Sequence, residues 1–106
     1  MAPERLKLLL RWREIVPKIA EILKEIIPDA EIYLVGSVAR GDYDAWSDVD
    51  ILIVTPRELT RKERIEIRAK LWEEMERRGL PWYFPWELHF VKKGEEGRYP
   101  ERKRLY

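Results

Sequence analysis

Between residues 4 and 27 the apolar positions Leu8, Trp12, Ile15, Ile19, Leu23 and Ile26 recur at steps of three and four, the spacing of one helical face. Pro17 interrupts the pattern. Proline has no amide donor and crowds the preceding turn, so the spacing predicts either a kink at Pro17 or two helices with Pro17 opening the second. "IIPDA" closes the helical region. The pattern then shortens. "EIYLVG" and "VDILIV" are β-branched and aromatic runs stopped by Gly36 and by "TP", and each reads as a strand. "LTRKERIEIRAKLWEEMERRG" returns to helical spacing, with Thr60 and Glu63 at capping-box separation, Ile65, Ala69, Trp72 and Met75 as the expected inner face, and Gly79 as the stop. After the proline-bounded connection "LPWYFP", "WELHFV" predicts a third strand, with Trp86, Leu88 and Phe90 on one side and Glu87 and His89 on the other. The predicted order is helix, strand, strand, helix, strand, followed by a charged tail.

A length of 106 residues accommodates one domain with a single core. The absence of cysteine excludes a disulfide framework and a thiolate metal site, and it fits a cytoplasmic setting. "MAPERLKLLLRWRE" holds only "LLL" between charges, too short for a signal peptide or a membrane span, so a soluble protein is expected. Formal net charge is +1, but residues 1–53 carry seven Lys/Arg and ten Asp/Glu while residues 54–106 carry fourteen and ten. An acidic centre therefore sits beside a basic C-terminal half, although most such charges face water. The richness in Glu, Lys and Arg without Asn, Gln or Cys is of a thermophilic kind. Five tryptophans and five tyrosines exceed the needs of so small a core, so some aromatic surface is expected to meet a partner.

The segment "GSVARGDYDAWSDVD" places Asp42, Asp44, Asp48 and Asp50 within nine positions, a costly cluster unless water, basic groups or a metal ion compensates it. An EF-hand loop starting at Asp42 fails, because Trp46, Ser47 and Ile53 stand where an oxygen ligand, glycine and glutamate are required. A P-loop fails for want of its lysine. On an extended strand, Asp48 and Asp50 project from one face, and such a pair suits magnesium and phosphoryl chemistry. Gly36 lets backbone approach a ligand, Ser37 offers a hydroxyl, and Arg40 lies one turn beyond, a set suited to phosphates. Asp42 and Asp44 read as a solvated turn. His89 shares a face with Glu87, but a lone histidine on a strand is more often a hydrogen-bonded structural group than a site residue. Tyr43 and Trp46 could stack on a base or meet a partner protein.

The stretch "GSVARGDYDAWSDVDILIV" resembles the signature of the DNA polymerase beta-type nucleotidyltransferase superfamily, and its "GSxARG" and "SDxD" forms resemble the minimal nucleotidyltransferases in particular. The likeness covers about residues 15–92 and leaves residues 93–106 as a basic tail of the single domain. It implies an α/β (α+β) fold, a small mixed β-sheet flanked by helices. By resemblance, Gly36 and Ser37 hold the nucleotide phosphates, which Arg40 is placed to neutralise, and Asp48, Asp50 and Glu87 are catalytic and hold magnesium, two ions in all. Glu87 departs from the aspartate common at that place, which puts metal placement in question. The resemblance also implies ATP as substrate and adenylyl transfer to a tyrosine of a HEPN-family toxin, this chain being the antitoxin. A contact-only module that neutralises its partner is the competing reading; direct action on nucleic acid, favoured by "RYPERKRLY", ranks last.

Overall fold

A computed structural model describes residues 4–106. Helices α1 (Glu4–Leu9) and α2 (Trp12–Ile26) are separated at Leu10 and Arg11, earlier than Pro17 led one to expect. Pro17 lies inside α2 on its exposed side, whereas Ile15, Val16, Ile19, Ala20, Ile22 and Leu23 are buried. The carbonyl that the proline leaves without a helical partner belongs to exposed Arg13, where water can satisfy it, so the helix continues.

Strand β1 (Glu31–Val35) runs into the short helix α3 (Gly36–Arg40), and an acidic loop leads to β2 (Val49–Thr55). β1 and β2 pair antiparallel, while β2 and β3 (Trp86–Lys92) pair parallel. Parallel neighbours need a crossover that no tight turn provides, and α4 (Arg61–Arg77) supplies it. The start of α4 is fixed as its sequence predicts: the Thr60 hydroxyl accepts from the Glu63 amide and the Glu63 carboxylate accepts from the Thr60 amide. The result is the expected mixed sheet flanked by helices, in the order β3-β2-β1-β4.

Strand alternation sorts the residues onto two faces. Val49, Ile51, Ile53, Ile32, Leu34 and Leu88 enter the main core beneath the helices. Tyr33, Val35, Leu52, Val54 and Val91 form a second cluster on the opposite face. On α4 the buried stripe is Ile67, Leu71 and Met75, so of the four residues expected on the inner face only Met75 is there. Ile65 and Trp72 are 53% and 48% exposed. Trp72 stacks on Trp82 at 5.1 Å between ring centroids, and Tyr83 meets Trp82 edge-on, forming an aromatic surface outside the core. Phe84 is buried.

Residues 93–106 fold rather than trail. A 3₁₀ turn (Glu96–Arg98) leads to Tyr99, which packs on the second face, and β4 (Lys103–Arg104) pairs antiparallel with β1. Glu31 anchors this strap through Lys93 at 2.8 Å and Arg104 at 3.3 Å, and it also accepts from the Tyr33 hydroxyl. Those bonds, with Lys93 foremost, hold the Glu31 carboxyl down at about 2. No helix among the described residues is long and apolar enough to cross a membrane.

The two stripes of α4 separate by substitution. Leu71→Ala should cost about 2–5 kcal/mol through the cavity it leaves, whereas Ile65→Ala should cost less than about 1 kcal/mol. Denaturant unfolding of both variants measures the difference.

Candidate active site

Three adjacent strands bring their ends together. Val35 is opposite Asp50 across the antiparallel pair, and Asp50 is opposite Glu87 across the parallel pair. Asp50 shares its face with Leu52 and Val54, and Glu87 and His89 share theirs with Val91, so all three polar groups emerge on the second face. One ligand atom each from Asp50, Glu87 and His89 lies within 4.8 Å of the others. His89 Nε2 is 2.8 Å from Asp50 Oδ1. That bond raises the His89 pKa above its ordinary value, against the opposing effect of burial and with help from the charges of Asp50 and Glu87.

Gly36 follows β1 with φ of 74°, the left-handed region. A Cβ there would stand 2.3 Å from Asp50 Oδ2, so only glycine permits the carboxylate to lie against the turn. A groove of about 310 Å³ opens beside it, lined by Val35, Gly36, Arg40, Asp50 and His89, and closed on its far side by Arg98 to Glu101 of the strap. Arg40 thus reaches the groove while pairing with Asp42 at 3.3 Å. Ser37 is the next residue of α3 and is half-buried.

Asp48 lies just ahead of β2, apart from the Asp50 cluster. Its Oδ1 accepts from Arg5 Nη2 at 2.8 Å, an ion pair between α1 and the acidic loop. Asp44 accepts from the Trp46 amide and the Ser47 hydroxyl, forming the expected solvated turn. Tyr43 accepts from Trp12 Nε1 at 3.2 Å and packs against the core, whereas Trp46 is 78% exposed. His89 is the residue that sequence reasoning left open and the structure draws into the cluster. Its position two residues beyond Glu87 on one strand face was the available signal.

Two carboxylates and an imidazole on fixed strands suit a divalent cation, and the oxygen share of the set fits magnesium or manganese. The adjoining groove adds backbone at a glycine turn and two arginines, Arg40 and Arg98, as partners for anionic oxygen.

Comparison with known proteins bears on the family of the chain. The family model described as a nucleotidyltransferase domain matches residues 16–104. Over 66 residues the chain is 39% identical to a CCA-adding enzyme of Methanopyrus kandleri, a match covering 58% of this chain and 13% of that enzyme. Over 59 residues it is 44% identical to a "Putative protein adenylyltransferase" of Methanocaldococcus jannaschii, covering 47% of this chain and 60% of that protein. The match therefore spans less than two thirds of either relative. Among solved structures, a "putative nucleotidyltransferase" from Sulfolobus solfataricus superposes with a TM-score of 0.68 at 22% identity, covering 98% of this chain and 87% of that one. A structure of tri-AMPylated Shewanella oneidensis HEPN toxin with MNT antitoxin matches with a TM-score of 0.57 at 21% identity, covering 89% of this chain and 71% of that one. At such identities these structures share the fold.

The His89–Asp50 bond has a definite pH signature. A histidine whose folded pKa is raised contributes stability that is fully present below its unfolded value near 6.5 and is lost as pH rises through the raised value. Wild type should therefore exceed His89→Gln in urea resistance at pH 6, with the gap narrowing by pH 9. A gap independent of pH would show that the imidazolium is not what matters.

Proposed function

The chain belongs to the nucleotidyltransferase domain family, and from that premise we propose that it is a magnesium-dependent enzyme moving the adenylyl group of ATP to a protein hydroxyl. The observation carrying this reading is the register that sets Asp50 beside Glu87 on parallel strands, against the Gly36 turn. Asp50, Glu87 and Asp48 would hold magnesium, whose contribution when bound would be neutralisation of phosphate charge. The Gly36–Ser37 turn and Arg40 orient the triphosphate along the groove. Exposed Glu87 takes the proton as the acceptor oxygen bonds to the α-phosphorus. The bond from that phosphorus to the bridging oxygen breaks, and pyrophosphate leaves.

For the acceptor, we propose a tyrosine of a HEPN-family toxin, with this chain as its antitoxin. The name of the Methanocaldococcus relative and the Shewanella complex support that choice. A nucleic-acid acceptor would suit the CCA-adding relative, but that match covers 13% of the enzyme. The tail that suggested such a role is also engaged internally: Arg102 and Arg104 lie over the Tyr33 ring, and Lys93 pairs with Glu31 and Glu96.

Calorimetry with ATP should show much tighter binding in magnesium than in chelator, and Asp50→Asn should remove the difference. Glu87→Gln should lower transfer about a hundredfold or more, the usual scale of a general base. Incubation with ATP, magnesium and the neighbouring gene's product should add adenylyl mass to that partner. Inhibition of the partner without a mass change, equally by Asp48→Asn/Asp50→Asn, would replace the enzyme with a contact-only antitoxin.

A further inference from the structure

Arg5 holds Asp48 in an arrangement that can let it go. A single guanidinium nitrogen, Nη2, faces three acceptors: Asp48 Oδ1 at 2.8 Å, the Ser47 carbonyl at 3.1 Å and the Trp46 carbonyl at 3.3 Å. That nitrogen carries two hydrogens, so it cannot give each of three acceptors a hydrogen of its own, and at least one bond is shared. Were Asp48 withdrawn, the two loop carbonyls would still occupy both hydrogens. The residue is unsettled in another respect: its Nε is buried with no hydrogen-bond partner among the described residues. Meanwhile Leu9, fully buried, keeps α1 in the core whatever Arg5 does.

We propose that Arg5 is a displaceable counter-cation of the metal site: it occupies Asp48 while no metal is bound and falls back on the Ser47 and Trp46 carbonyls when a divalent cation takes that carboxylate. The inference rests on the reading of Asp48 as a metal ligand. Arg5 is then a positioning residue that acts through Asp48. It limits the repulsion that Asp48 would otherwise add beside Asp50 and Glu87, and it competes with the metal for the same oxygen. Such competition is reciprocal, since a cation that displaces Arg5 is itself weakened by Arg5. The pair is half exposed, so the competition is mild.

Manganese binding to the nucleotide-free protein, followed by paramagnetic resonance, tests this without turnover. Arg5→Gln should bind manganese more tightly, by up to about fivefold for an exposed pair, and Arg5→Lys, which keeps the charge, should stay near wild type. In wild type, magnesium should shift the Arg5 side-chain resonances toward the positions that Asp48→Asn shows without metal, an effect that a purely structural arginine would not produce. Unmoved resonances would overturn the inference, as would equal or weaker manganese binding by Arg5→Gln at undiminished stability. If Asp48→Asn loses affinity while Arg5→Gln gains none, only the role of Arg5 falls. If Asp48→Asn binds manganese as wild type does, Asp48 is no ligand, and that part of the functional reading falls with it.

Discussion

Carboxylate repulsion is the constraint around which this small protein is arranged. Strand register draws Asp50 and Glu87 to one end of the sheet, with Asp48 just ahead of β2, and each negative charge raises the cost of the next. Compensation comes from opposite sides of the fold: Arg5 reaches in from the first helix, and His89 from the last long strand. Asp48 and Asp50 of the aspartate cluster therefore meet basic groups distant along the chain, whereas Asp42 pairs with nearby Arg40. A divalent cation would enter a site where Arg5 already holds Asp48 and the His89 ring already holds Asp50.

Packing of the strap extends this dependence to the second face of the sheet. Without residues 93–106, Leu52, Val54 and Tyr33 would lose the cover provided by Tyr99 and Arg102. The same segment closes the groove opposite Gly36 and Arg40. Glu31 secures it with partners from both ends of the strap, and the depth of its carboxyl pKa reflects how fully those partners favour the charged form. A segment that stabilises the sheet thus also shapes the place where a substrate would lie.

Local patterns were legible where one residue type has one physical use. Alternation in "VDILIV" and "WELHFV" separated Asp50, Glu87 and His89 from the core residues correctly, and the capping box fixed the start of α4. The inner face of α4 was not legible, because the helix carries two apolar stripes, Ile65, Ala69, Trp72 and Ile67, Leu71, Met75, each at helical spacing. Which one turns inward is decided by α2 and the sheet, not by the helix itself. The folding of the basic tail was hidden for the same reason: it depends on a partner far along the chain, Glu31 for Lys93 and Arg104.

Exposure separates the two central carboxylates in a way that composition could not. Asp50 lies against the Gly36 turn and is held by the His89 ring. Glu87, its neighbour across the parallel ladder, is open to solvent, and its longer side chain has freedom to move. For the proposed transfer this asymmetry assigns the tasks: the confined aspartate is suited to hold charge at a fixed point, and the exposed glutamate to meet a hydroxyl delivered by another protein. A glutamate in place of the more usual aspartate then has a physical rationale, because an acceptor arriving on a macromolecule must be reached at the surface rather than drawn into the groove.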